Sequence, residues 1–145
     1  MLHQLKYNGK KELAYLIGTW FAPGFSEIEF DMVIPVPLHK SKQRKRGYNQ
    51  SEFFGRGFAD SLNVPLHHDI ITRIKATDTQ TRKSKVERWG NLVNIYSSVA
   101  TNLDGKRVLV VDDVVTTGAT IGMLCERLVE ANVSEIHIAA IARGK

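Results

Sequence analysis

The sequence predicts an α/β fold, a mostly parallel sheet flanked by helices, and three observations lead to this class. Apolar runs of strand length alternate with segments whose apolar residues recur at helical spacing. The runs at 108–111 and 136–142 are apolar almost throughout, as expected of parallel strands covered on both faces. The 145 residues contain neither an internal repeat nor a linker-like segment, so we expect one domain over residues 1–145.

The first half of the chain is predicted to hold two helices and two strands. Apolar residues at helical spacing indicate the first helix, namely Leu13, Leu16, Ile17 and Trp20. It ends at the Ala-Pro-Gly of residues 22–24. Residues 31–37 predict a short strand leading into a loop, because its two prolines cannot continue a regular ladder. The second helix is indicated by Phe53, Phe54, Phe58 and Leu62, and the second strand by Ile70, Ile71 and Ile74.

The second half begins with a polar segment and ends with strands and a helix. Residues 75–85 are rich in Thr and in charged residues, which predicts a mobile loop. The loop is long for a compact domain, and loops of this length are often lids over binding sites. Ser84 and Glu87 form a capping box that predicts a short helix over 86–91. Further strands are predicted over 93–99, 107–113 and 135–142. Between the last two, a helix is indicated by Ile121, Leu124, Cys125, Leu128 and Val129.

The composition is that of a soluble globular protein, with 43% apolar and 24% charged residues. No stretch approaches the roughly 20 apolar residues that a membrane-spanning helix needs, and the N-terminus lacks the pattern of a signal peptide. The single cysteine, Cys125, excludes a disulfide framework. These features favour a cytoplasmic protein.

The net charge of +5 is unevenly distributed along the chain. Five basic residues crowd into one short block, namely Lys40, Lys42, Arg44, Lys45 and Arg46. Such a block suits nucleic acid or a substrate that carries several phosphate charges, and it is equally typical of a solvated loop. Tyr48 is the only aromatic residue near it that could stack on a single-stranded base.

The most informative segment runs from the apolar strand at 108–111 through an acidic pair into a turn rich in Thr and Gly. The helix that follows this turn favours an anion such as phosphate at its N-terminus. Asp112 and Asp113 would repel a bare phosphate, but they can accept hydrogen bonds from sugar hydroxyls or face a metal ion. The segment therefore predicts a sugar-phosphate site. Neither a Gly-Lys-Ser/Thr loop nor a Gly-x-Gly-x-x-Gly fingerprint is present.

This segment resembles the 5-phosphoribosyl 1-diphosphate (PRPP) motif of type I phosphoribosyltransferases, an acidic pair followed by Thr-Thr-Gly. The resemblance implies that Asp112 and Asp113 are the catalytic carboxylates and hold the ribose 2′- and 3′-hydroxyls. Residues 116–120 would surround the 5′-phosphate. The implied PRPP-binding residues are Asp112, Asp113, Val114, Val115, Thr116, Thr117, Gly118, Ala119 and Thr120.

Further motifs are similar to those of the competence protein F (ComF) family of phosphoribosyltransferase-like proteins. They are Pro35-Val36-Pro37-Leu38, Arg46-Gly47-Tyr48-Asn49-Gln50, Thr77-x-x-Gln80, Glu87-Arg88-Trp89 with Asn91, and Leu5-Lys6-Tyr7. Two features depart from that family. The four-cysteine zinc ribbon common among its members is absent from this sequence, and the frequent Gln-Thr-Gly-Leu of the lid is replaced by residues 80–83, Gln-Thr-Arg-Lys.

The two loops that follow residues 35–37 and 112–113 leave the carboxyl ends of predicted parallel strands, where α/β sheets bind ligands. If they converge, the basic block faces the sugar-phosphate site and complements a pyrophosphate. The predicted pyrophosphate loop comprises Pro37, Leu38, His39, Lys40, Arg44 and Arg46. The predicted lid residues are Thr77, Gln80, Arg82 and Arg88.

The resemblance implies a Mg²⁺-dependent phosphoribosyltransferase, with Mg²⁺ bound together with PRPP and no resident metal site. Its partners would be PRPP and a small nitrogenous acceptor, whose identity the sequence leaves open. The alternative is a non-catalytic PRPP- or nucleotide-binding module that acts in DNA uptake through single-stranded DNA or a protein partner. The oligomeric state is also open, although dimers are common among similar folds.

Overall fold

The structure is a computed structural model that describes residues 11–74 and 94–144. We number its elements in chain order, leaving one short 3₁₀ helix (Ala22–Phe25) unnumbered. They are α1 (Lys11–Phe21), β1 (Met32–Pro35), α2 (Lys40–Arg46), α3 (Gln50–Leu62), β2 (Arg107–Val115), α4 (Ala119–Glu130) and β3 (Glu135–Arg143). The predicted lid and the short helix over 86–91 lie outside the described residues.

The sheet consists of three parallel strands in the order β1, β2, β3. The apolar run at 108–111 lies in the central strand and is fully buried, because helices cover both faces of the sheet. The predicted α/β class with a parallel sheet flanked by helices is confirmed. Beyond β1, the chain around Leu66 adds a single parallel bridge to Val33.

Two apolar layers hold the helices on the sheet. On one face, Leu124 and Leu128 of α4 pack against Val108 and Val110 of β2. On the other face, α1 and α3 pack against the sheet, and Phe54 and Phe58 are wholly buried. Both faces of the sheet are therefore covered by the apolar sides of helices, as the helical spacing predicts.

The helices α1 and α3 cross with their backbones in contact, and two glycines make this possible. A Cβ atom on Gly18 would collide with the carbonyl oxygen of Phe54, and one on Gly57 would collide with that of Tyr15. Each collision is with rigid backbone, so any larger residue at either position would force the helices apart.

The predicted strand around Ile70, Ile71 and Ile74 does not form. Ile70 and Ile71 are both buried in the same apolar cluster, whereas neighbouring residues of a strand point to opposite faces. Within the described residues, this segment has one antiparallel bridge, between Arg73 and Tyr96, flanked by backbone hydrogen bonds from the Ile74 N–H to the Ile95 carbonyl and from the Ser97 N–H to the Thr72 carbonyl. The described part of the predicted strand over 93–99 is limited to the same short pairing. A second difference is that β2 continues two residues past the acidic pair to Val115.

The basic block forms a helix, α2, where the sequence suggested a loop. The His39 imidazole Nδ1 caps its N-terminus by accepting a hydrogen bond from the Ser41 backbone N–H at 3.2 Å. Gly47 ends the helix in the left-handed conformation, with φ of 79°. Residues 40–46 carry no apolar side chain, so no periodicity signalled the helix. Within the described residues, no helix is long and apolar enough to cross a membrane.

Candidate functional site

A cleft of about 330 Å³ lies beyond the carboxyl ends of β1 and β2. Its wall comes from the loop after β1, the helix α2, the end of β2 and the start of α4. From the predicted PRPP-binding segment it is lined by Asp112, Asp113, Val114, Val115, Thr116, Gly118 and Thr120. Thr117 and Ala119 belong to the same turn but are not in the lining.

Backbone hydrogen bonds bring the two strand ends together. The Val36 N–H donates to the Val111 carbonyl at 2.9 Å, which holds the chain beside β2 after β1 has ended. The buried Asn49 side-chain amide donates to the Val36 carbonyl at 3.0 Å. The same Asn49 caps α3 by accepting from the Ser51 N–H. The loop after β1 is therefore fixed between β2 and α3, and the predicted convergence of the two loops is observed.

Hydrogen bonds within the chain fix the acidic pair. The Ser51 hydroxyl donates to Asp112 Oδ1 at 3.0 Å, and the Asp113 N–H donates to the same oxygen at 2.8 Å. The Asp113 carboxylate accepts from the Val114 N–H at 2.9 Å. Each carboxylate is thus held in one orientation at the cleft wall.

The site raises the pKa of Asp112 to about 7. Burial is the main cause, because it disfavours the charged carboxylate, and the hydrogen bond and negative charge of Asp113 act in the same direction. The Ser51 hydroxyl and the Asp113 backbone N–H lower the pKa, but by less. Additional hydrogen-bond donors in the cleft would therefore favour the ionised form of Asp112.

The turn after β2 connects the acidic pair to the N-terminus of α4 at the cleft wall. Gly118 takes a φ of 81°, which only glycine adopts freely, and α4 begins at the next residue. The first turn of α4 presents the partial positive charge of a helix N-terminus. The end of β3 supports this turn, since the Gly144 N–H donates to the Val115 carbonyl at 2.8 Å. A Cβ on Gly144 would lie 2.8 Å from Thr116 Cγ2, so the two residues are in close contact.

The helix α2 divides the basic block between two surfaces. Lys42 and Arg46 are four residues apart on one side of the helix and line the cleft. Lys40 and Arg44, also four residues apart, line a separate depression at the surface. Of the predicted pyrophosphate loop, Pro37, Leu38 and Arg46 therefore line the cleft, whereas His39 is the helix cap.

Sequence reasoning missed five cleft residues, namely Val36, Lys42, Ser51, Arg73 and Ile121. Ser51 directly follows the Asn49-Gln50 of a quoted motif, which could have signalled it. Arg73 is buried, with only 8% of its surface exposed, and comes from the segment that was interpreted as a strand. No local pattern marks it.

Two further expectations concern residues away from the cleft wall. Tyr48 is not available for stacking on a nucleic-acid base, because it is buried beside Phe53 and lies under the Lys11 ammonium. The lid residues lie outside the described part of the chain, namely Thr77, Gln80, Arg82 and Arg88.

Residues 11–74 and 94–144 contain no group of three or more His, Cys, Asp or Glu side chains that could hold a metal ion.

Comparison with known proteins identifies the family. Residues 49–145 match the family described as the phosphoribosyl transferase domain. The chain belongs to this family. The matched range includes β2, the acidic pair and the turn into α4, which together form most of the cleft.

Curated relatives place this phosphoribosyl transferase domain in the ComF group. Competence protein F of Haemophilus influenzae is 37% identical, over 79% of this chain and 51% of that protein. DNA utilization protein YhgH of Escherichia coli O157:H7 is 29% identical, over 99% of this chain and 66% of that protein. The resemblance to ComF proteins is therefore confirmed. The chain spans between half and two thirds of the length of these relatives.

A solved structure confirms the type I phosphoribosyltransferase-like fold. The glutamine PRPP amidotransferase from B. subtilis, complexed with ADP and GMP, superposes with a TM-score of 0.62. The two chains are 22% identical, and the match covers 88% of this chain and 26% of the amidotransferase. At this level of identity the comparison establishes a common fold.

Proposed function

We propose that this domain binds PRPP and transfers its 5-phosphoribosyl group to a nitrogenous acceptor, releasing pyrophosphate. One observation carries the proposal: a single cleft is lined by an acidic pair, a helix N-terminus and the cationic side chains of Lys42, Arg46 and Arg73. These three surfaces match the three parts of PRPP. The name of the solved structural neighbour, a PRPP amidotransferase, supports PRPP as the ligand.

Each surface suits one part of the ligand. Asp112 and Asp113 are held as hydrogen-bond acceptors and suit the 2′- and 3′-hydroxyls of the ribose. The turn at residues 116–120 suits the 5′-phosphate, because backbone N–H groups and the helix dipole both favour an anion there. Lys42 and Arg46 line the same cleft and suit the diphosphate.

The reaction forms one bond at the ribose C1 and breaks another. The nitrogen lone pair of the acceptor forms the N–C1 bond, while the C1–O bond breaks and its electron pair leaves with pyrophosphate. The acceptor nitrogen then loses a proton. Lys42 and Arg46 would stabilise the negative charge that grows on the departing pyrophosphate, and the fixed cleft would hold the ribose in position for attack.

The donor set suits Mg²⁺ that is carried by PRPP. Mg²⁺ usually keeps several waters and binds substrate phosphates with few protein ligands. The carboxylates of Asp112 and Asp113 at the cleft wall are the oxygen donors that such an ion could use. Bound to the diphosphate, Mg²⁺ would neutralise part of the leaving group's charge.

The two sides of α2 provide a matched test of the proposal. Lys42→Gln/Arg46→Gln and Lys40→Gln/Arg44→Gln each remove two positive charges from the same short helix. Because charged hydrogen bonds contribute about 1.5–3 kcal/mol each and the first variant removes two, we expect it to weaken PRPP binding at least about a hundredfold. The second should weaken it less than about threefold, since exposed charges act weakly through solvent. Calorimetric titration measures both, and equal losses in the two variants would contradict the proposal.

The names of the relatives support a second candidate function, a role in DNA uptake as a binding module. Lys40 and Arg44 lie outside the cleft and could contact the phosphates of single-stranded DNA. The affinity for DNA should then fall steeply with salt and be lost in the Lys40→Gln/Arg44→Gln variant. Absence of DNA binding at low salt would exclude this candidate.

The single free cysteine, Cys125, supports the cytoplasm as the location in either case.

A further inference from the structure

The strand β3 forms one edge of the sheet. Among the described residues it pairs with β2 alone, along nine residues that are mostly apolar. Ile138, near its middle, is 46% exposed. Long apolar edge strands attract other strands, and proteins usually shorten, charge or cover them.

The direction of the backbone groups on β3 follows from the register. The Val111 carbonyl of β2 accepts from the Val36 N–H on the β1 side, so the alternate residues Val108 and Val110 face β3. In the parallel pairing that places Val108 opposite Ile136, Val108 bonds to residues 135 and 137. The even-numbered residues 136, 138 and 140 therefore direct their N–H and C=O groups towards the open edge.

The sequence of β3, Glu-Ile-His-Ile-Ala-Ala-Ile-Ala-Arg, complements itself in the antiparallel sense. A two-fold axis through its middle residue, Ala139, would place Glu135 opposite Arg143 of a second copy at both ends. On one face, Ile138 would lie opposite Ala140, which pairs a large side chain with a small one. In this register, residues whose N–H and C=O groups face the open edge lie opposite residues of the second copy that do the same. These backbone groups could therefore form hydrogen bonds along the edge.

The charges select this register over its neighbour. Moving the axis to Ile138 would place Glu135 opposite the apolar Ile141 and leave Arg143 beyond the end of the paired strand. Glu135 is half-exposed, and its 3.8 Å contact with Arg107 within the chain is long. The other oxygen of this carboxylate lies 3.2 Å from His137 Nε2 of the same strand, and the half-exposed group can still be reached by the guanidinium of a second copy.

We propose that β3 is the surface through which two copies of this chain associate, by antiparallel pairing centred on Ala139. The two sheets would join into one continuous sheet through new backbone hydrogen bonds between the two copies of β3. The two-fold axis would place α4 of both copies on the same face of the joined sheet. This inference is independent of the proposed phosphoribosyl transfer.

The mass of the protein in solution provides the first test. Light scattering coupled to size-exclusion chromatography, on the unmodified chain at high micromolar concentration, should give twice the mass of one chain. A monomeric mass would overturn the proposal whatever the variants show. Arg143→Glu should lower the fraction of dimer at least about tenfold, because two carboxylates would then face each other.

Disulfide cross-linking tests the register. In a Cys125→Ser background, Ile138→Cys and Ala140→Cys are purified separately and then oxidised, alone and as a mixture. The paired positions would lie about 4.5–5.5 Å apart between Cα atoms, within the range of a disulfide. We expect a cross-linked dimer in the mixture and little in either variant alone. A dimer by light scattering without this mixture-specific cross-link would place the interface elsewhere and overturn the proposal.

Discussion

The burial of Asp112 predicts a measurable loss of stability as the pH rises. Its pKa in the unfolded chain is near 3.8, whereas in the folded protein it is raised to about 7. The fold therefore favours the protonated form, and the stabilisation is complete below pH 3.8 and disappears as the pH rises through 7. Between pH 5 and pH 7 the free energy of unfolding should fall by about 2.3 kcal/mol from this group alone.

Asp112→Asn isolates this contribution, because the amide oxygen can still accept from Ser51 and from the Asp113 N–H. Urea denaturation at pH 5, 6, 7 and 8 should show that the free energy of unfolding falls with pH in the wild type. It should fall less steeply in Asp112→Asn. Asp69→Asn, at an exposed carboxyl, is the control and should retain the wild-type slope. Parallel curves for the wild type and Asp112→Asn would refute the argument that burial raises this pKa.

Three glycine substitutions make further predictions, two measured by denaturation and one by ligand titration. Gly57→Ala should lower the free energy of unfolding by about 2 kcal/mol, because the collision with the neighbouring helix outweighs the gain of about 1 kcal/mol in helix propensity. A Cβ at Gly122 would meet nothing within 4 Å, so Gly122→Ala should raise the free energy of unfolding by about 0.5–1 kcal/mol. Equal denaturation midpoints for Gly57→Ala and Gly122→Ala would contradict the close backbone contact between α1 and α3. Gly144→Ala should displace Thr116 and weaken PRPP binding about tenfold with little change in melting temperature. An unchanged affinity in the titration would show that β3 does not support the turn.

The central strand and its acidic end were predictable from the sequence because their signals are local. A strand buried on both faces must be apolar at every position, which gives the continuous run at 108–111. The turn needs a positive φ, and Gly118 supplies it. The residues that build this side of the cleft are adjacent in sequence, so one segment indicated both the fold and the site.

Elements that depend on distant contacts were not predictable in the same way. The basic helix has no apolar stripe, so only its capping residues, His39 and Gly47, mark it. Its basic side chains are divided between the cleft and the outer surface because residues four apart lie on the same side of a helix, which would not hold for a loop. Arg73 enters the cleft wall through tertiary packing of an irregular segment, and its local sequence carries no sign of that position.

Calorimetric titration of PRPP tests the central claim most directly, with and without Mg²⁺, into the wild type and into Asp112→Asn/Asp113→Asn. We expect micromolar, Mg²⁺-dependent binding by the wild type and none by the double variant, whose circular dichroism should remain that of the folded protein. Absence of binding by the wild type, or unchanged affinity in the double variant, would contradict the assignment of this cleft to PRPP.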